Sequence, residues 1–248
     1  MNVEPYRWRV SGSFAAHLWK AATQQHHREL APLIGRLVPP DGVVFDIGAH
    51  AGQFTKLFAR TAQSGQVYAF EPASYARTIL RSVVWLHRLD NVTIVPAALG
   101  GASEVTALSL PIKASGSHGF GLAHLGPPEK RWAAVAREVV VQTTLDDLVA
   151  ALALGRLDFV KADIEGWEVQ LLRGGRGALE RLRPRLLIEL NAAHLARAGD
   201  SLEVAFGLLA ECGYRAFSLG GDLRLAPAAP GDGDFWFLPE EDAVIREL

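Results

Sequence analysis

The sequence contains little cysteine and no long run of apolar residues. Its single cysteine, Cys212, excludes an intramolecular disulfide and a cysteine metal cluster. Nowhere do about 18 apolar residues follow one another, and residues 1–20 lack the apolar stretch of a signal peptide. We therefore expect a cytoplasmic protein that is not inserted in a membrane.

A large excess of charge of either sign is also missing. The chain carries 25 basic and 27 acidic side chains, a formal net charge of -2. Because no global basic field is available to neutralise phosphates, a nucleic-acid substrate is disfavoured. Apolar residues, in contrast, make up 49% of the 248 positions, enough for one large core. We expect a helical extension at residues 1–42 and one α/β domain at residues 43–248, and this composition is compatible with a homo-oligomer.

Short apolar runs alternate with helical patterns along most of the chain. The predicted strands are Val43–Ile47, Gln66–Phe70, 92–96, 157–162, Arg185–Leu190, Tyr214–Leu219 and 235–238. The predicted helices include 13–37, Gln53–Thr61, 74–89, 168–183 and 201–211. This alternation predicts a seven-stranded, mostly parallel sheet covered on both faces, in an α/β fold with three αβα layers. The segment 220–234 is too poor in helical residues for a parallel crossover, so the last strand should be antiparallel.

The alternation breaks over residues 101–142, which we interpret as an inserted segment. Residues 104–110 and 138–142 have the pattern of strands, and residues 113–121 between them are rich in glycine and serine. A connection this long in a compact domain is often functional, so the segment is a candidate substrate lid. Its side chains His118, His124 and Trp132 could shape the substrate pocket, or simply belong to a polar loop.

A glycine-rich turn follows the first strand, where the chain has the pattern Asp46-x-Gly48-x-His50-x-Gly52 and then enters a helix. Glycines at such a turn allow close approach between the backbone and a ligand over the strand end. His50 stands where many nucleotide-binding loops carry a glycine, and histidine adopts positive φ more often than most residues. For His50 we favour a conformational role over direct chemistry.

Two carboxylates narrow the identity of the nucleotide. Glu71 follows the second strand, 23 residues after Gly48, close to the spacing of about 20 at which an acid reaches a ribose diol. Asp46 would repel the pyrophosphate of NAD, but it would attract the sulfonium and ammonium of S-adenosylmethionine (SAM). Either acid alone could instead be a turn cap or a solvated strand end. After the third strand, Ala97 and its small neighbours leave room for an adenine ring.

Polar side chains end the fourth and fifth core strands, and in open α/β sheets ligands bind outside the carboxyl ends of the strands. They are Lys161, Asp163, Glu165, Glu189, Asn191 and His194. Methyl transfer to oxygen requires positioning and a base, for which Asp163, Glu189 and His194 are the candidates. The acids could alternatively stabilise a helix N-terminus. Asp163, Glu189 and Asn191 could also hold Mg²⁺, as similar groups do in catechol O-methyltransferase, but the charge of Lys161 argues against a metal.

Four motifs of this chain resemble those of the FkbM family of methyltransferases. They are Val44-Phe45-Asp46-Ile47-Gly48-Ala49-His50-Ala51-Gly52, Phe70-Glu71-Pro72, Thr144-Leu145-Asp146-Asp147-Leu148 and the stretch from Asp158 to Glu168, which contains Lys161-Ala162-Asp163-Ile164-Glu165-Gly166. The resemblance implies a Rossmann-like class I methyltransferase fold and methylation of a hydroxyl on a sugar or secondary metabolite. It also implies that Asp46, Gly48 and Glu71 bind the cofactor and that Lys161, Asp163 and Glu165 line the reaction centre.

Together these arguments predict an SAM-dependent O-methyltransferase that releases S-adenosylhomocysteine (SAH). The predicted cofactor-binding residues are Asp46, Gly48, Ala49, His50, Gly52, Glu71, Pro72, Ala97 and Asp163. The predicted catalytic residues are Lys161, Asp163, Glu165, Glu189 and His194. Two alternatives are an NAD-dependent oxidoreductase, which Asp46 disfavours, and a non-catalytic interaction domain, which the set of acids at the strand ends disfavours.

Overall fold

The helices and strands of the computed structural model lie within residues 3–5, 12–112, 123–126 and 134–247, which are the residues that the structure describes. The α-helices there are α1 (Gly12–Thr23), α2 (Ala31–Leu37), α3 (Gln53–Thr61), α4 (Ser74–Leu86), α5 (Leu145–Ala151), α6 (Glu168–Arg173), α7 (Arg176–Leu182), α8 (Ala192–Arg197) and α9 (Leu202–Glu211). The strands are β1 (Val3–Pro5), β2 (Val43–Ile47), β3 (Gln66–Phe70), β4 (Val92–Val95), β5 (Ala97–Leu99), β6 (Glu104–Ile112), β7 (Ala134–Thr143), β8 (Phe159–Ala162), β9 (Arg185–Leu190), β10 (Tyr214–Leu219), β11 (Leu225–Pro227) and β12 (Gly233–Pro239). Short 3-10 helices occur at Arg28–Leu30 and Ala243–Glu247.

The larger sheet has the strand order β11-β10-β12-β9-β8-β2-β3-β4. Strands β4, β3, β2, β8 and β9 pair in parallel, whereas β12 is antiparallel to both β9 and β10. The predicted mostly parallel sheet with an antiparallel last strand is confirmed, and β11 adds an eighth, short strand at the edge. The strand order reverses between β2 and β8, which is where ligands bind in sheets of this kind.

Alternate residues of the central strands serve opposite faces of this sheet. In β2, Val44 packs in a buried cluster with Phe58 of α3, whereas Phe45 packs in a second cluster with Leu172 of α6. Burying a side chain of this size contributes roughly 2 kcal/mol. Because both faces are covered, the strands form continuous apolar runs in the sequence. The predicted three-layer αβα architecture is confirmed.

The predicted N-terminal helix, 13–37, is interrupted in the structure. α1 ends at Thr23, and the 3-10 helix at Arg28–Leu30 leads into α2, with His27 at φ 57° before it. Leu37 of α2 belongs to the buried cluster that also contains Val44, so α2 packs on the sheet itself. The domain boundary after residue 42 stays a prediction.

The predicted helix 168–183 is also two helices, α6 and α7, separated by Gly174 and Gly175. A Cβ at Gly174 would lie 2.1 Å from the carbonyl oxygen of Gly100, so the chain passes the end of β5 too closely for a side chain. Glycine is also unfavourable within helices.

No helix in the described ranges is long and apolar enough to cross a membrane.

The inserted segment forms a second sheet in which β7 is central. β6 pairs with it antiparallel from Glu104 to Ile112, and β5 and β1 pair with it in parallel. The two predicted strands are therefore present, and both are longer than predicted. Between them the structure describes residues 123–126, so His118 and Trp132 lie outside the described residues. The lid function stays a prediction.

Candidate active site

A cavity of about 300 Å³ opens where the carboxyl ends of β2, β3 and β8 meet, and its size is at the small end of the range for ligand sites. The predicted site residues that line it are Asp46, Gly48, Ala49, His50, Glu71, Pro72, Ala97, Lys161, Asp163 and Glu165. Gly52, Glu189 and His194 do not belong to its wall as the structure describes it. The sheet thus brings together most of the predicted residues, although they come from four separate parts of the sequence.

The glycine loop has the backbone geometry that its sequence predicts. Gly48, His50 and Gly52 all have positive φ, at 76°, 46° and 83°. His50 therefore has the positive φ that its position predicted, and its purely conformational role stays a prediction. A Cβ at Gly48 would lie 2.0 Å from the carbonyl oxygen of Asp163, so this glycine is needed for packing against the loop after β8. The glycine-rich pattern thus reflects contact between two loops of the protein itself.

Glu71 lies buried between the glycine loop and the start of α4. Its Oε2 accepts a hydrogen bond from the His50 amide at 2.8 Å, and its Oε1 accepts one from the Ala73 amide at 2.8 Å. Burial raises the pKa of Glu71 to about 7, although both amides oppose this rise. Glu71 therefore fixes the loop while its carboxyl group faces the cavity.

Asp46 is fully buried at the end of β2. Its Oδ2 accepts a hydrogen bond from Thr55 Oγ1 at 2.6 Å. Its Oδ1 is also buried and has no hydrogen-bond partner within the part of the chain that the structure describes. Burial raises the pKa of Asp46, because the charged form loses hydration there. A buried carboxylate oxygen without a donor, in the wall of a cavity, fits a ligand that carries a cationic N–H group.

Lys161 is buried beside Asp46, with which it pairs in register across β2 and β8. Its Nζ lies 3.3 Å from Asp163 Oδ2 and 3.4 Å from the Gly48 carbonyl oxygen. Burial lowers the pKa of Lys161, but the Asp163 and Asp46 carboxylates outweigh burial and the net pKa is raised. Lys161 and Asp163 thus form an ion pair, which keeps a positive charge at the centre of the site.

Asp163 and Glu189 form a hydrogen-bonded pair of carboxyl groups on neighbouring strand ends. Burial raises the pKa of Asp163, but Lys161 and a hydrogen bond with Glu189 outweigh it and hold this pKa below its usual value. Partial burial and the Asp163 charge raise the pKa of Glu189 to about 8. The pair therefore shares one proton at neutral pH, and this proton resides mainly on Glu189.

Glu165, in the cavity wall, meets His194, which lies outside that wall at the rim. His194 Nδ1 lies 3.1 Å from Glu165 Oε2. Asn191 caps α8, because its Oδ1 accepts hydrogen bonds from the Ala193 and His194 amides. The amide oxygen considered as a Mg²⁺ ligand is therefore already used. Within the described ranges, no group of three or more His, Cys, Asp or Glu residues could hold a metal ion.

Comparison with known proteins adds a family to this geometry. The family model described as the methyltransferase FkbM domain matches residues 46–216, well over half of the chain. The chain belongs to the FkbM methyltransferase family. This membership agrees with the motifs at Asp46, Glu71 and Lys161, which all lie inside the matched range.

Individual relatives of this FkbM-family chain are distant. The 2-O-methyltransferase NoeI of Sinorhizobium fredii (strain NBRC 101917 / NGR234) is 25% identical over 170 residues, which are 63% of this chain and 65% of NoeI. The FkbM methyltransferase structure from Methylobacillus flagellatus KT has a TM-score of 0.52 at 15% identity, covering 91% of this chain and 59% of that one. SMU.1697c of Streptococcus mutans, solved in complex with SAH, has a TM-score of 0.50 at 10% identity, covering 87% of this chain and 98% of that one. The chain thus spans less than two thirds of two of these relatives, and the structural likeness shows the fold alone.

Sequence reasoning missed several residues that lie around the site. Asp234 pairs in register with Glu189, because β12 begins at Gly233, two residues earlier than predicted. Glu168 is buried, and its Oε1 accepts hydrogen bonds from the Ile164 and Gly166 amides. The position of Asp234 directly before an apolar strand could have indicated this pairing, whereas the buried position of Glu168 had no sequence signal.

Other missed residues come from outside the core strands. The inserted segment supplies Leu108, His124 and Leu125 to the cavity wall, so one of its three named side chains does face the pocket. Trp167 also lines the cavity, and its Nε1 donates a hydrogen bond to Gln142 Oε1 of β7 at 2.9 Å. The two sheets are thereby joined next to the site.

Proposed function

We propose that this FkbM-family chain is an SAM-dependent O-methyltransferase that acts on a hydroxyl group of a small molecule or saccharide. The observation that carries the proposal is Asp46, a fully buried acid with one unpartnered oxygen in the wall of the cavity. The ammonium of SAM would donate to this oxygen, whereas the pyrophosphate of NAD would be repelled by it. The charge at the loop thus favours methyl transfer over hydride transfer.

The remaining cofactor contacts follow from the wall of the cavity. Glu71 would accept hydrogen bonds from the ribose hydroxyls, since its carboxylate oxygens can each accept more than one hydrogen bond. Gly48, Ala49, His50 and the neighbouring Gly52 would shape the loop beneath the cofactor. Pro72 and Ala97, with their small or flat surfaces, would flank the adenine. Asp163 would lie at the boundary between cofactor and acceptor.

The reaction centre would use the carboxyl pair at the ends of β8 and β9. When bound, SAM supplies an electrophilic methyl group. Asp163, kept ionised by Lys161, would accept the proton of the acceptor hydroxyl, and Glu189 would tune the basicity of Asp163 through their shared proton. Glu165 and His194 would orient the acceptor at the rim. No metal is required in this scheme.

The names of two similar proteins support the proposal. NoeI is called a 2-O-methyltransferase, which favours oxygen as the accepting atom. SMU.1697c was solved with SAH, which favours the same cofactor here.

We also propose a cytoplasmic location and no binding to nucleic acid. Cell fractionation and gel-shift assays with RNA and DNA test these two points.

Calorimetric titration with SAH is the direct test. We expect micromolar binding by the unmodified chain and at least a tenfold weaker Kd for Asp46→Asn, which keeps the shape of the side chain but removes its charge. Asp90→Asn, a change at an exposed acid far from the site, is the matched control and should bind normally. Absence of binding at millimolar SAH, or a saturable NADH fluorescence titration, would contradict the proposal.

The acceptor requires a second experiment. A turnover screen with labelled SAM against glycosides, polyketides and other hydroxylated metabolites, with and without EDTA, tests both the substrate class and metal independence. We expect methyl ether products that form equally well with EDTA. Methylated amines alone would assign N-methylation instead.

A further inference from the structure

The turn between α1 and the first 3-10 helix lies directly against the first turn of α3. Gln25 Nε2 donates a hydrogen bond to the Gln53 carbonyl oxygen at 3.0 Å, and the His26 amide donates one to Gln53 Oε1 at 3.1 Å. The next residue, His27, stacks on Phe54 with ring centroids 4.7 Å apart. The turn is thus docked on the end of the helix that follows the glycine loop.

Lys56 of α3 binds the end of α1 next to this turn. Its buried Nζ donates hydrogen bonds to the carbonyl oxygens of Ala21 at 2.7 Å and Gln24 at 2.8 Å. These carbonyls lie at the C-terminal end of α1. Carbonyl oxygens at this end accept no hydrogen bond from the helix itself, and a nearby cation stabilises the helix dipole. α1 and α3 are therefore joined by a buried contact right behind the turn.

His27 is placed to contact a ligand. It lines the same cavity as Asp46 and Phe54. Within the described ranges, no hydrogen bond occupies its ring nitrogens, so a ring N–H is available to a bound molecule. His27 also lies outside residues 46–216, the range that the family model matches. Its position in the cavity depends wholly on the docked turn.

The chemistry of SAM identifies what His27 would bind, and this step rests on the proposed function. The amino-acid end of SAM carries an ammonium and a carboxylate on one carbon. Asp46 suits the ammonium, but the acids in the cavity wall would repel the carboxylate unless donors lie nearby. The amides of Gln53 and Phe54, in the first turn of α3, have no acceptor within that helix, and His27 lies against Phe54. We propose that His27 donates a hydrogen bond to the α-carboxylate of SAM, so that the N-terminal helices complete the cofactor site.

Calorimetry with two ligands tests this assignment. SAH carries the amino-acid end, whereas 5′-methylthioadenosine retains the nucleoside and lacks that end. The variant His27→Gly removes the ring without backbone strain, since glycine adopts positive φ freely. We expect its Kd for SAH to rise about tenfold, as for loss of a hydrogen bond to a charged group. Its Kd for 5′-methylthioadenosine should stay within about twofold, a difference too small to reflect a lost hydrogen bond.

His26→Gly is the matched control, because it changes the neighbouring exposed histidine of the same turn and keeps the amide that Gln53 binds. It should bind both ligands normally. Equal weakening of both ligands by His27→Gly would overturn the assignment, and so would unchanged SAH binding. If the unmodified chain binds neither ligand, the proposed function itself fails. Circular dichroism of each variant establishes that it is folded.

Discussion

Asp163 and Glu189 differ in ionisation although they are hydrogen-bonded to one another, because Lys161 lies on the Asp163 side. The buried cation stabilises the negative charge on Asp163, and the proton is left on Glu189. While Glu189 remains protonated, its hydrogen bond weakens Asp163 as a base. When Glu189 ionises, the pair accepts a proton more readily. Removal of the proton from an acceptor hydroxyl by Asp163 therefore depends on whether Glu189, which lies outside the cavity wall, is protonated.

This coupling predicts the pH profile of methyl transfer. We expect kcat to rise with pH through about 8, the pKa of Glu189. In Glu189→Gln, which keeps a hydrogen-bonding side chain but cannot ionise, this rise should be absent. His194→Gln should retain it, because this variant keeps the Glu189 carboxyl group beside Asp163. The profiles are measured with a saturating acceptor from the turnover screen, and a rise that persists in Glu189→Gln contradicts the assignment.

Asp163→Asn tests the base itself. Loss of a general base lowers kcat by about 10² to 10⁴. We expect a loss in this range, measured as initial rates at saturating SAM and acceptor. The control is Asp200→Asn, at an acid that pairs with Arg173 away from the site. Full activity of Asp163→Asn would assign proton removal to another group.

At the scale of single residues, the sequence predicts most of the site, and the residues that it does not predict have physical reasons for this. Asp46, Glu71, Lys161 and Asp163 end strands, so their meeting at one sheet edge follows from the parallel order. The pairing of Asp234 with Glu189 depends on strand register, which the sequence specifies only through the start of β12. His27 could not be found, because its place depends on where a turn docks.

The bounds of the helices likewise depend partly on local sequence and partly on tertiary contacts. α3 has the predicted bounds because its loop and apolar face are both encoded locally. In contrast, the break between α6 and α7 follows from contact with Gly100, which lies far away in the sequence. The break after α1 likewise coincides with the carbonyl oxygens that Lys56 binds. Periodicity therefore identifies the helices, and tertiary contacts decide where they end.

Lys56→Met tests the link between α1 and α3. Methionine fills similar space but leaves two buried carbonyl oxygens without donors, which costs about 1–3 kcal/mol. We expect a lower free energy of unfolding in urea and faster amide hydrogen exchange over residues 24–27. Lys20→Met, at an exposed lysine of α1, should change neither quantity. Normal exchange in this turn of Lys56→Met would mean that the contacts with Gln53 hold it without Lys56.

At the scale of the whole molecule, the fold follows from continuous apolar strands and the fact that both sheet faces are covered. The antiparallel last strand was predictable from the length of its connection, whereas the order of the strands was not predicted. The second sheet was predictable only as two strands, since the pairing of β5 and β1 with β7 joins distant segments. This fold also places Glu71 and Glu168 in buried positions at one end of the sheet, with consequences for stability.

Stability should therefore fall as pH rises from about 6.5 to 8. The pKa of Glu71 and that of Glu168 are raised to about 7, and that of Glu189 to about 8, all mainly by burial. In the unfolded chain these groups ionise near their ordinary pKa of 4.5, so the folded state holds more protons in this range. A raised pKa contributes stability at low pH that is lost as pH rises through the folded-state value. His50 has the opposite effect, because burial lowers its pKa, but only below about 6.5.

Glu168→Gln isolates one of these groups. Glutamine can still accept the hydrogen bonds from Ile164 and Gly166 through its carbonyl oxygen, but it has no proton to lose. We expect the stability of this variant to depend less on pH than that of the unmodified chain. Between pH 6.5 and 8, its free energy of unfolding should fall by on the order of 1 kcal/mol less, which corresponds to about 2–4 °C in Tm. Glu240→Gln, at an exposed glutamate, should follow the unmodified chain. Thermal unfolding of the ligand-free protein at both pH values measures the difference, and equal pH dependence in all three proteins would mean that Glu168 is ionised in the folded state throughout this range.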